Sequence, residues 1–172
     1  MLRSVCTLLA AVLLTACGAS GMPVSQGADG ESGLRLTGRV DGRQIAVADG
    51  APQQRVGDCA LIVGLPADLC LVSRTIDGTR VVLGIGNPEH VAEQDGSVPV
   101  ERARCGSQSE CRDVTGRGVA FLLLGDASVP VDSGSLTITR YDVQEGYAGI
   151  FDLTLANGRV TGQFDVAPRS DS

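Results

Sequence analysis

The chain has 172 residues, 14 of them Arg or Lys and 20 Asp or Glu, for a net charge of −6, and it contains no tryptophan. Every residue in the Arg-or-Lys set is arginine, which excludes Schiff-base and lysine general-base chemistry. The acidic balance, with arginines scattered rather than striped, excludes a phosphate-backbone partner, so no nucleic acid is expected. In chain order the first element is the apolar run "VCTLLAAVLLTA", Val5 to Ala16, behind the single charge of Arg3. A dozen residues cannot cross a hydrocarbon core, which needs about 20 as helix. The length and the basic start suit the apolar region of a secretory signal.

The run ends Leu14-Thr15-Ala16-Cys17. With the basic start, apolar stretch and small residues in order, this resembles the lipobox of bacterial lipoproteins. The resemblance implies that residues 1–16 are a cleaved signal peptide and that Cys17 becomes the lipidated first residue of the mature chain. It also implies a membrane partner through the anchor. One acyl chain holds only reversibly, at about 0.8 kcal/mol per buried methylene. The two or three chains of a lipoprotein cysteine make a durable tether. Gly18 stands where Asp would favour inner-membrane retention in enteric bacteria, so by analogy the outer membrane is favoured. An ordinary cleaved signal with a chance cysteine is the bland alternative.

Residues 17–33 form the lipidated cysteine and a Gly/Ser/Ala-rich spacer with almost nothing to bury, expected to be flexible. Residues 34–168 have the length of a single β domain, and 169–172 form a tail. Aromatic residues are few (Phe121, Phe151, Phe164, Tyr141, Tyr147), so the core must come mainly from Val, Leu, Ile and Ala. With Cys6 lost in the signal and Cys17 lipidated, Cys59, Cys70, Cys105 and Cys111 remain. An even count in an exported domain predicts two disulfides, with three pairings open. Cys105–Cys111 and Cys59–Cys70 are favoured, each closing a short loop at about 2–3 kcal/mol. A zinc site is disfavoured by the lack of any C-x-x-C spacing.

The domain then reads as short apolar segments divided by turn signals. Asp41-Gly42, Asp77-Gly78 and Asn157-Gly158 each separate two alternating runs, and a two-residue type I′ turn needs positive φ at both positions. Gly42, Gly78 and Gly158 are therefore expected to define turns. The last register would put Leu155 opposite Val160, Leu153 opposite Gly162 and Phe151 opposite Phe164. The middle one would put Val72 opposite Leu83 and Cys70 opposite Ile85. Further strands are expected at Cys59–Leu65, Val98–Arg104, Gly118–Leu124 and Leu136–Tyr141, with "DSGS" at 132–135 as a turn. The run "VAFLLL" fits a central strand or a short buried helix. One helical turn is expected near 88–94, with Asn87 as cap and Pro88 at its first position. The fold class is all-β: an antiparallel β-sandwich or barrel built from hairpins. The stretch from Ser133 to Val166 resembles, in its strand-loop-hairpin order, the closing strands of β-rich envelope lipoproteins.

Chemistry is sparse. His90 and Glu93 form an H-x-x-E spacing, with Glu89 and Asp95 nearby, but two ligands from one turn do not make a metal site; a solvated acidic turn is the plainer account. No G-x-S-x-G elbow accompanies the lone histidine. "GIGNPE" carries Glu89 where a pyrophosphate-binding glycine would stand. Asp142 and Glu145 are candidate paired carboxylates, as acids in loops generally are. No catalytic residue, metal or cofactor is assigned. The expected function is that of an anchored envelope protein whose β domain binds an envelope protein or an apolar ligand, or is structural. Inhibition of a cell-wall hydrolase and carriage of an apolar ligand are the alternatives, and a carboxylate-based hydrolase is the rival from another class.

Overall fold

The computed structural model describes residues 33–47, 55–104, 107, 109–110 and 117–167. The signal run, Cys17, Cys105, Cys111 and the tail lie outside the described residues. Among the described residues there are eleven strands: β1 (Gly33–Val40), β2 (Arg43–Val47), β3 (Arg55–Gly57), β4 (Leu69–Arg74), β5 (Arg80–Ile85), β6 (Val98–Glu101), β7 (Gly118–Leu124), β8 (Ala127–Val129), β9 (Val131–Asp142), β10 (Gly146–Leu155) and β11 (Gly158–Val166). Two short helices, α1 (Cys59–Ile62) and α2 (Pro88–Ala92), complete the described elements. The sheet order is β2-β1-β11-β10-β9-β6-β7-β5-β4-β3, with β8 on β7. This all-β sheet curls into a nearly closed, barrel-like body. The Ile76 amide donates to Ala46 O at 3.1 Å, joining the loop after β4 to the free edge of β2.

Not every pairing is antiparallel. β6 and β7 run parallel, Val100 beside Gly118 and Glu101 beside Val119. The chain between them, 102–117, has the dozen or more residues that a parallel crossover needs. A second departure is α1, where a strand over Cys59–Leu65 was expected. The Asp58 carboxylate accepts the Ala60 amide at 2.8 Å as an N-terminal cap, and Gly64 turns the chain back at φ +73°. Cap and glycine outweigh the β preference of the Ile62-Val63 pair. The helical turn at Pro88–Ala92 falls where the sequence predicts it, but Asn87 makes no side-chain cap. Its amide donates instead to Arg117 O at 3.1 Å.

The three glycine turns differ. Asp41 (φ +48°) and Gly42 (φ +76°) both occupy the left-handed region, and Val40 faces Arg43 across a two-residue loop, the type I′ geometry. The Asp77-Gly78 turn is longer. Arg74 faces Arg80 and Val72 faces Val82, one residue away from the expected register. The Gly78 amide closes on Thr75 O at 2.9 Å and only Gly78 (φ +86°) is left-handed, as in a three-residue loop with a glycine bulge. A one-residue shift exchanges faces. The sequence did not reveal it because β4 and β5 are apolar and buried on both sides: Leu69, Leu71, Leu83 and Ile85 join the interior, while Cys70, Val72 and Val82 join an outer layer.

The last hairpin corrects the role expected of Gly158. Its loop is Ala156-Asn157, Leu155 pairs with Gly158, Leu153 with Val160 and Phe151 with Gly162, a shift of two residues. An even shift preserves the faces, so Phe151, Leu153, Leu155, Val160 and Phe164 are all buried. Gly158 has no positive φ. It is a strand residue where a Cβ would strike the backbone of Arg39 and Val40. Two further glycines lie under rings: a Cβ on Gly162 would come within 2.5 Å of Phe151 Cζ, and one on Gly149 within 2.6 Å of Phe164 Cζ. The expected register would have set the two rings against each other; the observed one gives each ring a glycine. Residues 132–135 also differ from expectation, forming part of β9 rather than a turn.

The outer layer is built on the face of β4, β5 and β7 that points away from the interior. Cys59 and Cys70 form a disulfide with Cα atoms 4.8 Å apart, and both residues are fully buried. Ala67 completes this layer together with Leu123 and, half-buried, Phe121. Gly84 makes the fit possible: a Cβ there would approach Cys59 Sγ to 3.1 Å. Leu61, on the outside of α1, is 85% exposed.

The packing of Gly158 gives a direct check. Gly158→Val is expected to lower stability by about 1–3 kcal/mol in urea unfolding, the usual penalty for overpacking. Gly33→Ala serves as control, since no heavy atom lies within 4 Å of the place its methyl group would take, and its midpoint should match the wild type.

Candidate functional site

The strands divide the barrel into two ends. At one end lie the turns Asp41-Gly42, Ile76–Gly78, Gly125-Asp126 and Ala156-Asn157, tied to their neighbours by short bonds. Asp41 N–H donates to Asn157 O at 3.0 Å and Gly125 N–H to Arg80 O at 2.8 Å. Asn157 Nδ2 donates to the Asp41 carboxylate at 2.8 Å. The turns frame an open mouth of about 850 Å³ between β2 and the start of β5 on one side and β7–β8 on the other. Side-chain alternation explains its walls. Val40 belongs to the interior set, and Ile45, Leu124 and Val129 pack against it while remaining half-buried. The rim is polar, carrying Asp41, Arg43, Gln44, Thr75, Asp77 and Thr79, with Ile76 78% exposed beside it.

Asp77 organises the rim. Its carboxylate accepts the Thr75 hydroxyl, and the Thr79 amide at 3.3 Å. The Thr75 hydroxyl, then the Thr79 amide, hold its acidity below the ordinary carboxylate value.

At the opposite end, where β1 begins at Gly33 and β4 at Leu69, a smaller cleft of about 380 Å³ is lined by Asp68, Asn87, Glu89, His90, Glu93 and Tyr141. The H-x-x-E pair of the sequence thus opens on a common cleft with two further carboxylates. Among the described residues, however, no group of three or more His, Cys, Asp or Glu is arranged to hold a metal ion. The Asp142–Glu145 pair does not converge on this cleft as an acid–base couple. Asp142 Oδ1 accepts the amides of Gln144 at 2.6 Å and Glu145 at 2.9 Å, and these bonds, Glu145 first, depress its acidity. It is the cap of the β9–β10 turn. Tyr141 leans on Tyr147 across the same hairpin, with centroids 5.3 Å apart.

The scattered arginines pair with carboxylates on the outer surface. Arg159 grips Asp152 through two nitrogens, Arg140 bonds Asp165 and Arg80 meets Asp126 at 3.1 Å. The Arg159 bond holds Asp152 ionised below its usual range. Exposed pairs of this kind contribute little stability; here they neutralise the polar face of the sheet. No helix among the described residues is long and apolar enough to cross a membrane. Comparison with protein-family models, curated proteins and solved structures finds no match to this chain.

Ile45, Leu124, Val129 and Thr75, the residues that shape the mouth, were not singled out by the sequence. Each continues an ordinary strand pattern, and only the splaying of two strand ends leaves them half-covered. The rim supplies a pH test. Because the acidity of Asp77 is displaced downward from 3.8, its contribution to loop order is complete above that pH. The contribution is lost as pH falls through the lower, folded-state value. Asp77→Asn should therefore speed amide exchange at Gly78 and Thr79 at neutral pH, and the difference from wild type should vanish in strong acid. Equal exchange at neutral pH would show that the carboxylate does not order the loop.

Proposed function

We propose that this chain is a lipid-anchored protein of the bacterial cell envelope, on the outer membrane, whose β domain is a binding module that takes an apolar ligand at the mouth of its barrel. The observation that carries the binding half is the contrast within one interior. Leu34, Leu36, Leu83, Leu122, Leu153 and Phe164 are buried to 2% exposure or less, so most of the barrel is filled. At the mouth, by contrast, inward-facing apolar side chains stay half-open, around a volume suited to a small-molecule ligand. This favours a shallow carrier or binding site over a lumen-filling one.

The anchoring half is supported by the order Arg3, apolar run, Leu14-Thr15-Ala16-Cys17, and by the buried Cys59–Cys70 disulfide, which suits an oxidising compartment. The two halves fit each other. The spacer joins the domain at the start of β1, and β1 runs from that end toward the mouth. A ligand would therefore enter from the side away from the leash. Engagement of an envelope protein through the same rim is the second reading, favoured by Ile76, whose side chain stands beside the cleft with 78% of its surface in water. The reading is of a binder rather than an enzyme, since Asp142, the best placed of the loop acids, is used as a turn cap.

Two experiments test these halves separately. Cys17→Ser should abolish incorporation of labelled palmitate and move the protein from the membrane to the soluble fraction; unchanged sedimentation with membranes would refute the anchor. Titration of the mature domain with N-phenyl-1-naphthylamine should give saturable fluorescence at one site. Ile45→Arg should weaken that binding at least tenfold while far-ultraviolet circular dichroism stays the same. Saturable binding that ignores Ile45→Arg would move the ligand site elsewhere.

A further inference from the structure

The inward face of β4 carries Leu69, Leu71, Ser73 and, one step beyond the strand, Thr75. Leu69 and Leu71 belong to the interior cluster, as does Val81, the cross-strand partner of Ser73. Ser73 is therefore the one inward position of β4 that is not apolar. It is 0% exposed, and its Oγ has no hydrogen-bond partner. A buried hydroxyl without a partner is costly, and native proteins seldom keep one without a use for it. Its location supplies the use. Thr75 lines the mouth, and Ser73 lies two residues deeper on the same face, about 7 Å at the strand rise.

Resting on the reading of the mouth as an apolar-ligand site, we propose that Ser73 is the polar floor of that site. The ligand class is then an elongated apolar molecule that ends in a hydrogen-bonding oxygen, as a long-chain alcohol or carbonyl compound does. Such a molecule enters polar end first. Its oxygen meets Ser73 Oγ, and its chain lies along Ile45, Leu124 and Val129. The hydroxyl can donate to a carbonyl oxygen or exchange bonds with an alcohol. A charged head would be refused at this depth, where burial without a counter-charge is strongly unfavourable.

The test uses 1-octanol and 1-chlorooctane, equal in chain length, as competitors that displace bound N-phenyl-1-naphthylamine from the mature domain. Chlorooctane is the more hydrophobic, so a site that reads only apolar surface prefers it. Wild type is expected to prefer octanol by about fivefold, the size of one net hydrogen bond. Ser73→Ala should erase that preference, leave displacement by chlorooctane unchanged, and hold or raise the melting temperature by removing the unpartnered hydroxyl. If wild type and Ser73→Ala both favour chlorooctane, the polar floor is overturned and the apolar mouth survives. If neither competitor displaces the probe, or the probe does not bind, the reading of the mouth itself fails and takes the floor with it.

Discussion

The larger half of the sheet is held in register by two phenylalanine rings, each lying across a glycine of the neighbouring strand. Phe151 covers Gly162 and Phe164 covers Gly149. A strand interior usually rejects glycine, which packs nothing and costs conformational entropy. Here a side chain at either glycine would displace a ring, so the same residues that weaken the strands individually specify their pairing. β1 extends the constraint, because Gly158 must remain bare for β11 to approach the backbone of Arg39. From that register follow the buried row Leu153, Leu155 and Val160, the exposed Asp152–Arg159 pair, and the position of the Ala156-Asn157 turn on the mouth.

The smaller half is organised differently. β4 and β5 are covered on both faces, by the interior on one side and by the Cys59–Ala67 segment on the other. Strands buried on both faces read as continuous apolar runs rather than alternating ones. The disulfide binds the covering segment to β4, and Gly84 gives the sulfur its space. This second layer explains how a chain so poor in aromatic residues makes a body of this size. It gains burial by adding a thin aliphatic cover, not by enlarging the side chains within.

The two halves meet through β6 and β7 and through the bond from Ile76 to Ala46, and they diverge at one end. There the inward face continues past the point where an opposing layer covers it. An apolar wall that is half-covered, beneath a rim ordered by Asp77, is the arrangement from which the proposed binding function is drawn. The opposite end gathers carboxylates and His90 without building a metal centre among the described residues.

Local chemistry determined a good deal from sequence alone: an all-β domain, the turn at Asp41-Gly42, the helical turn after Asn87, and the separation of apolar from polar faces in the last hairpin. Each depends on residues close in the chain, where φ preferences, capping and alternation act directly. Tertiary structure decided the registers of the other two hairpins, the helical form of Cys59–Ile62, the parallel contact of β6 with β7, and the mouth. Turn dipeptides propose a pairing, but ring-on-glycine packing between strands overrules it. A run apolar on both faces carries no record of which side is in. The openness of the mouth belongs to no residue at all; it arises where two strand layers part, and only their arrangement in space creates it.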